Sequence, residues 1–152
     1  MKRSFLLVSL IFAASVLPLA AQSNSVLDEF LNNEAADAGT ALLLVAQAIG
    51  DLPDSASAED ALQWKDDQKW GRKVKLEKDD PVTSGQFHLA LLKAFEIKGG
   101  MGYTLFASPR SAAQEAAYQG FIPGAAYVNH KMTPYEVLNS LSLALERQEE
   151  EE

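Results

Sequence analysis

Cysteine is absent from this chain of 152 residues, and histidine occurs only twice. The lack of cysteine excludes disulfide bonds, zinc–cysteine sites, a thiol nucleophile and a lipidated N-terminal cysteine. Basic residues are also scarce, since 13 Lys and Arg stand against 21 Asp and Glu, which gives a net charge of −8. A general nucleic-acid binder needs a basic surface to neutralise phosphates, so this composition argues against nucleic acid as a partner.

Long hydrophobic runs are confined to the N-terminus. Two basic residues precede an apolar stretch over residues 5–16, and Pro18 and several small residues follow. This pattern is typical of a secretory signal peptide. We expect a signal peptide over residues 1–21, cleaved after Ala21 or Ser23, and export to the periplasm or cell envelope. An uncleaved membrane anchor is the alternative, although the run is short for a span of roughly 20 residues.

The expected exported chain is more acidic than the whole. Without the signal peptide, 11 basic side chains face 21 acidic ones, a net charge of −10. No later segment is apolar over enough residues to cross a membrane, so no integral span is expected after cleavage. We expect one domain over residues 24–146. A disordered acidic tail should follow over residues 147–152, because its four consecutive glutamates repel one another.

Helix-capping signals predict a mainly α fold. Ser or Thr is followed three residues later by Asp, Gln or Glu at Ser57, Thr83 and Thr133, which is the pattern of a capping box. The expected helices begin or run over residues 25–36, 40–49, 57–64, 83–95, 109–119 and 133–146. Alternating apolar residues at 74–76 and the segment 103–106 also suggest short extended stretches, and so one short β-hairpin or strand pair.

Two of these predicted helices match at an offset of 50 residues. Each begins with an apolar residue, a Thr, two further residues and then Gln or Glu. The two openings are Val82-Thr83-x-x-Gln86 and Met132-Thr133-x-x-Glu136. Two unrelated amphipathic helices with capping boxes could also align in this way, so the order of the segments between them matters.

That order resembles the S-layer homology (SLH) repeat. There, a Thr-Arg-Ala-Glu-like helix is followed by a Phe-x-Asp turn, a helix that ends in Leu-Gly-Ile/Leu-x-x-Gly, and the next Thr-x-x-Glu helix. Residues 119–124 (QGFIPG) stand in for that helix end. The chain is also similar to uncharacterised exported SLH-like proteins of spirochaetes, through residues 99–110. The resemblance implies a small helical domain of helix–loop–helix repeats, with better copies at 82–124 and 132–146 and a weaker one near 40–64.

The departures from the SLH pattern concern the ligand. SLH modules of cell-surface proteins hold anionic wall polysaccharide, and the Arg of the Thr-Arg-Ala-Glu motif contributes positive charge. Ser84 and Pro134 stand at that position here, and Ser108 replaces the Asp of Phe-x-Asp. A net charge of −10 would repel an anionic glycan unless a local basic patch steers it. The resemblance therefore implies a fold and not a ligand.

Patterns for catalysis and metal binding are few. His88 follows Phe87 in a predicted helix, where we expect a core or boundary histidine, and His130 falls in a predicted solvent loop. A Gly-x-Ser-x-Gly elbow and phosphate-binding glycine loops are absent from the sequence. Residues 51–62 lack the Gly and the final Glu that an EF-hand loop requires. We expect no enzyme activity, no cofactor and no metal.

The most unusual stretch covers residues 64–78 (WKDDQKWGRKVKLEK). It contains both tryptophans and has a local charge of +3. Aromatic rings beside cations suit sugar or peptide recognition, and Trp and Arg are enriched at binding hot spots. Alternatively, the tryptophans anchor this connection to the core while the lysines stay in solvent. The candidate partner-binding residues are Trp64, Lys69, Trp70, Arg72 and Lys73.

These observations lead to three functional expectations. The first is a non-catalytic interaction or scaffold module of the envelope or periplasm, with an envelope protein as its partner. The second is a module that binds cell-wall glycan or peptidoglycan through the same stretch. An enzyme is a remote third.

Overall fold

The computed structural model describes the backbone of residues 17–125 and 127–151, and the side chains of residues 25–72, 74–125 and 127–150. Helices dominate this part of the chain, so the prediction of a mainly α fold is confirmed. The elements are α1 (Leu17–Asn32), α2 (Ala38–Ala48), α3 (Ala58–Asp67), a 3₁₀ helix (Gly71–Lys73), α4 (Ser84–Ala94), α5 (Met101–Leu105), α6 (Pro109–Tyr118) and α7 (Pro134–Glu151). The predicted signal peptide lies outside the described residues up to residue 16.

A closed ring of backbone hydrogen bonds joins three distant points of the chain. The amide of Val82 donates to the carbonyl of Ala36 (2.9 Å), that of Met132 to Val82 (3.0 Å), and that of Ala36 to Met132 (2.8 Å). All three side chains are buried. Each residue directly precedes the cap of a helix, namely of α2, α4 or α7. The helix starts are thereby held together around one pseudo-threefold centre.

The start of α2 is satisfied by the loop that precedes α4, and the start of α4 is satisfied in the same way by the loop that precedes α7. Two first-turn amides of each helix donate to carbonyls two residues apart in that loop, which removes the usual orphan donors of a helix start. The bonds are Ala38 to Asp80, Gly39 to Lys78, Ser84 to His130 and Gly85 to Val128, over 2.8–3.0 Å. α7 begins with Pro134, which has no amide hydrogen to donate.

The same pair of helices also ends alike. α2 is followed by Gly50 with φ +80°, and α4 is followed by Glu96 with φ +53°. The next amide after each turns back to the helix, from Asp51 to Ala46 and from Ile97 to Leu92. The left-handed conformation suits Gly50. Glu96 adopts the same left-handed conformation although it has a side chain, because the chain makes the same turn after α4.

A second helix packs against the start of each of these two. Ser57 caps α3 and Ser108 caps α6, both through capping boxes. A Cβ built on Gly39 would lie 2.9 Å from Ala58, and one on Gly85 would lie 2.6 Å from the carbonyl oxygen of Pro109. Glycine therefore permits the close crossing in both places.

The buried apolar side chains form a hydrophobic cluster to which all the longer helices contribute. Its fully buried members include Phe30 from α1, Leu42 from α2, Phe87 and Leu91 from α4, and Val137 from α7. Burial of side chains of this size contributes most of the stability of a domain of this length.

Both extended segments expected from the sequence are wrong. Val74 closes the 3₁₀ helix by donating to Gly71, and its carbonyl accepts from Lys65, so its polar groups are not free for a strand partner. Residues 101–105 form α5, which is held by the buried ring of Tyr103. Among the described residues, β-structure is limited to the isolated bridges Asp37–Pro81 and Thr83–Lys131.

Two helix boundaries also differ from expectation. α1 is already helical at Leu17, whereas we expected this helix to begin at residue 25. α7 continues to Glu151, through the segment from 147 that we expected to be disordered. Its last turns are held because Arg147 donates to Gln119 and lies 4.6 Å from the ring centre of Phe121.

Candidate binding surface around Trp64 and Trp70

The segment that contains both tryptophans is a series of tight turns. The amides of Gln68, Gly71 and Val74 each donate to the carbonyl three residues earlier, over 3.0–3.1 Å. A Cβ on Gly71 would lie 1.8 Å from the carbonyl oxygen of Lys65, so only glycine fits this turn. The segment is thus folded tightly against the end of α3.

The two tryptophan rings contact each other. Trp64 is buried, and its indole nitrogen donates to the Asp51 carboxylate at 2.8 Å. Trp70 is half-buried and packs edge to face on Trp64, with ring centres 5.8 Å apart and an interplanar angle of 72°. Trp64 therefore anchors the segment to the turn after α2, and Trp70 is the ring that solvent reaches.

The basic residues of the stretch have different environments. Lys65 is buried, with its ammonium 2.7 Å from both the Val74 carbonyl and the Asp66 carboxylate. Lys69 and Arg72 are exposed, and the Arg72 guanidinium donates to the Asp66 carbonyl at 3.3 Å. The side chain of the fifth predicted site residue, Lys73, lies outside the described residues. Lys65 is thus a structural lysine, while Lys69 and Arg72 belong to the surface.

The predicted site residues line two separate pockets. A pocket of about 330 Å³ includes Trp64 and Trp70. A second pocket, of about 370 Å³, includes Arg72 and the buried Lys65. Lys69 lines neither of the two. The structure therefore brings the two tryptophans together at one pocket, and Arg72 lies in a neighbouring part of the same stretch.

Sequence reasoning missed the other side of the tryptophan pocket. It is closed by the end of α4 and by α7, which contribute Lys93, Phe95, Glu96 and Gln148. These residues come close to Trp70 only in the folded chain.

A third cavity, of about 570 Å³, lies between α1 and the starts of α2 and α3. An ion pair between Lys78 and Glu59 (2.8 Å) lines it. The hydrogen bond from Lys78 lowers the pKa of the Glu59 carboxyl, and the same bond raises the pKa of Lys78. The two groups thus satisfy each other at the edge of the cavity.

His88 is a core residue, as expected. Its Nδ1 lies 2.8 Å from the carbonyl oxygen of Ser84, and its Nε2 lies 3.1 Å from the hydroxyl of Ser140. A carbonyl can only accept, so Nδ1 carries the hydrogen and Nε2 accepts from Ser140. Burial lowers the pKa of His88 to about 4, against the hydrogen bond to Ser84 and the charge of Glu136, which raise it.

His130 is exposed, as expected for a solvent loop, and it makes a specific contact. Its Nε2 lies 2.9 and 3.0 Å from the two carboxylate oxygens of Glu136. Glu136 also accepts from the backbone amide of Thr133 at 2.7 Å, within the capping box of α7. Partial burial by itself would raise the pKa of Glu136, but the bonds from Thr133 and His130 outweigh it and lower this pKa. The histidine therefore supports the start of α7.

Two properties of the described residues concern metal binding and membrane crossing. In residues 17–125 and 127–151, no group of three or more His, Asp or Glu side chains is arranged to hold a metal ion. Within the same part of the chain, no helix has both the length and the apolar character that crossing a membrane requires.

Comparisons with protein-family models, with curated proteins and with solved structures give no match to this chain.

Proposed function

We propose that this protein is a non-catalytic interaction or scaffold module of the envelope or periplasm, built from SLH-like helical repeats. Its partner is an envelope protein that binds at the exposed part of the Trp-containing stretch, around Trp70 and Arg72. The main support for a repeat architecture is the ring of hydrogen bonds between Ala36, Val82 and Met132.

The ring supports repeats because equivalent backbone bonds require equivalent local chain paths. Three helix starts share it, and two of them also share their loop contacts, helix ends and following helices. Independent amphipathic helices that happened to carry capping boxes would have no reason to share all of these features. Repeats of one supersecondary unit provide that reason.

A non-catalytic role is supported by the burial of Ser140 and His88, which are in contact in the way that a catalytic serine and its base are. Ser140 and His88 have the contact of a nucleophile and its base, but their exposed fractions are 2% and 0%. A substrate carbonyl has no access to the Ser140 hydroxyl. The Nδ1 of His88 faces a backbone carbonyl, whereas a carboxylate occupies this place in a Ser-His-Asp triad. The pair is better explained as a link between α4 and α7.

The test is a pull-down from envelope extract with Trp70→Ala combined with Arg72→Glu. We expect the native chain to recover a defined protein and the double variant to lose it, since Trp and Arg contribute most at such interfaces. A matched control is Tyr118→Ala with Lys131→Glu, which alters an exposed aromatic and an exposed cation elsewhere. Unchanged recovery with the Trp70–Arg72 variant would exclude this stretch as the binding site.

The single variant Arg72→Glu distinguishes loss of binding from loss of folding. Arg72 is exposed, so this change leaves the packing of Trp70 on Trp64 intact. Recovery should fall with this variant at an unchanged unfolding midpoint. If only the variants that lower the midpoint lose the partner, the tryptophan is structural and the proposed surface is wrong.

Binding of wall glycan or peptidoglycan is the second proposal, favoured by the tryptophan pocket. An aromatic ring beside polar side chains suits a sugar, and Trp70 lies there with Gln68, Lys93 and Gln148. Co-sedimentation with purified wall material at low salt tests it, because charge interactions are strongest there. Arg72 lines a different pocket, so Trp70→Ala should abolish glycan binding and Arg72→Glu should not. If the native chain does not co-sediment, the proposal of glycan or peptidoglycan binding is wrong.

A further inference from the structure

The short helix α5 presents its apolar residues to solvent. Met101, Leu105 and Phe106 are 81%, 67% and 75% exposed. Met101 and Leu105 are four residues apart and so share one face of the helix, and Phe106 caps its end. Single exposed apolar side chains are common, but three large ones within six consecutive residues form a patch that calls for an explanation.

The opposite side of α5 is fixed to the core. Tyr103 is buried, and the ammonium of Lys93 lies 4.9 Å from the centre of its ring. The amide of Gly100 donates to the Glu115 carboxylate at 3.0 Å, and the Phe106 carbonyl accepts from Ser111 at 2.7 Å. These bonds tie both ends of α5 to α6. The apolar patch is therefore displayed on a rigid support.

The charge around α5 differs from that of the rest of the chain. Residues 97–114 contain Lys98 and Arg110 and no acidic residue, and Glu96 and Glu115 flank them, so the segment 96–115 is neutral in a chain of net charge −8. The Glu115 carboxylate is engaged by the Gly100 amide. Both basic side chains are exposed, and in the described part of the chain neither has a carboxylate within ion-pair distance. An anionic surface is repelled by the acidic bulk of the protein and is repelled least at this segment, where two exposed cations are available.

We propose that α5 is a membrane-contact element, in which Met101, Leu105 and Phe106 enter the headgroup region of a bilayer and Lys98 and Arg110 contact anionic lipid phosphates. An interfacial helix lies in the plane of the membrane with its apolar side at a depth of roughly 5–10 Å, and in α5 that side carries Met101 and Leu105. The patch projects from one turn of helix, a shape that suits insertion among lipids. The contact is peripheral and uses residues other than Trp70 and Arg72.

The absence of cysteine allows a direct test on the full chain. An environment-sensitive fluorophore is attached to Met101→Cys and, as a matched control, to Tyr135→Cys, which is also highly exposed. Each protein is mixed with vesicles of phosphatidylcholine and phosphatidylglycerol in equal parts, or of phosphatidylcholine alone. The readouts are the blue shift of the probe and its quenching by brominated lipid. These report where the labelled residue lies, whichever other part of the chain also binds.

We expect a blue shift and quenching at position 101 with the mixed vesicles, and neither at position 135. Equal signals at both positions would mean unspecific adsorption and would overturn the proposal. No signal at position 101 would also overturn it. A blue shift at 101 that grows with protein concentration without vesicles would identify a second copy of the chain as the occupant and would contradict a lipid contact.

The charge contribution is tested with Lys98→Gln and Arg110→Gln together. Removal of two cations near an anionic surface should weaken binding to mixed vesicles roughly thirtyfold, with little effect on phosphatidylcholine alone. Lys75→Gln with Lys131→Gln is the matched control, because both are exposed and the change in net charge is the same. If both pairs weaken binding equally, net charge and not α5 determines it, and the proposal fails.

Discussion

The Nε2 atom of His88 lies 3.1 Å from the hydroxyl oxygen of Ser140, and both side chains are closed to solvent. With the bond from Nδ1 to the Ser84 carbonyl, this contact satisfies both ring nitrogens of a neutral imidazole. It also connects α4 with α7, which are 52 residues apart at these positions. A buried polar group that is fully satisfied favours one arrangement of the two helices.

The first prediction concerns pH. The folded pKa of His88 is about 4, below the ordinary value of 6.5. The unfolded chain therefore takes up a proton that the folded chain does not, as the pH falls below 6.5. The free energy of unfolding should be greatest above pH 6.5 and should decrease by about 3 kcal/mol toward pH 4. Urea denaturation at pH 7 and pH 5 measures the first part of this decrease, before the carboxylates contribute strongly.

Two variants assign that decrease to His88. His88→Gln cannot titrate, so its unfolding free energy should change much less between pH 7 and pH 5. His130→Gln removes the other, exposed histidine and should leave the decrease in place. If His88→Gln retained the full pH dependence, the buried imidazole would not be its source.

The second prediction concerns two glycines. Gly85→Ala should lower the free energy of unfolding by about 1–3 kcal/mol, because its Cβ would lie 2.6 Å from the Pro109 carbonyl oxygen, where α4 crosses α6. Gly102→Ala is the control, since its Cβ would meet nothing within 4 Å. Gly102 lies within α5, so alanine there should be neutral or stabilise by up to about 1 kcal/mol. Thermal unfolding followed by circular dichroism distinguishes them, and equal effects would contradict the close crossing.

The third prediction separates the lysines of the Trp-containing stretch. Lys65→Met should lower the free energy of unfolding by about 1–3 kcal/mol, because the buried Val74 carbonyl loses the only side-chain donor that contacts it among the described residues. Lys69→Met changes an exposed residue and should leave the unfolding midpoint unchanged. A stable Lys65→Met protein would show that the ammonium contact with Val74 adds nothing to the fold.

The fourth prediction concerns the end of α7. Arg147→Ala should expose the last turns of this helix to hydrogen exchange and lower the free energy of unfolding by about 1–2 kcal/mol. The variant loses the contact with Phe121 and the bonds to Gln119. Glu146→Ala changes an exposed neighbour and should leave the exchange rates of residues 147–151 nearly unchanged. If those amides already exchange freely in the native chain, Arg147 does not hold this end of the helix.

Local signals predicted the helices well, and non-local contacts explain the errors. The capping boxes at Ser57, Thr83 and Thr133 depend on residues three apart, so the sequence contains the whole interaction. The strand expected near Val74 was wrong, because Lys65 and Gly71 occupy the polar groups of that residue. No periodicity in a short window reports such a contact.

The candidate site was predicted in part. The stretch from Trp64 was identified by its composition, and the two tryptophans do lie against each other. That Trp64 is buried while Trp70 remains accessible depends on Asp51 and on the end of α4. The exposed patch on α5 was missed, because residues 103–106 were expected to be extended.

The sequence by itself determined the mainly α character, the helix caps and the uneven distribution of charge, because all three depend on neighbouring residues or on composition. The tertiary structure alone decided that Ala36, Val82 and Met132 meet in one ring, that His88 pairs with Ser140, and which side of α5 faces solvent. These relationships join residues about 50 or more positions apart or depend on which side of a helix meets the core. Packing of the whole chain is the only source of that information.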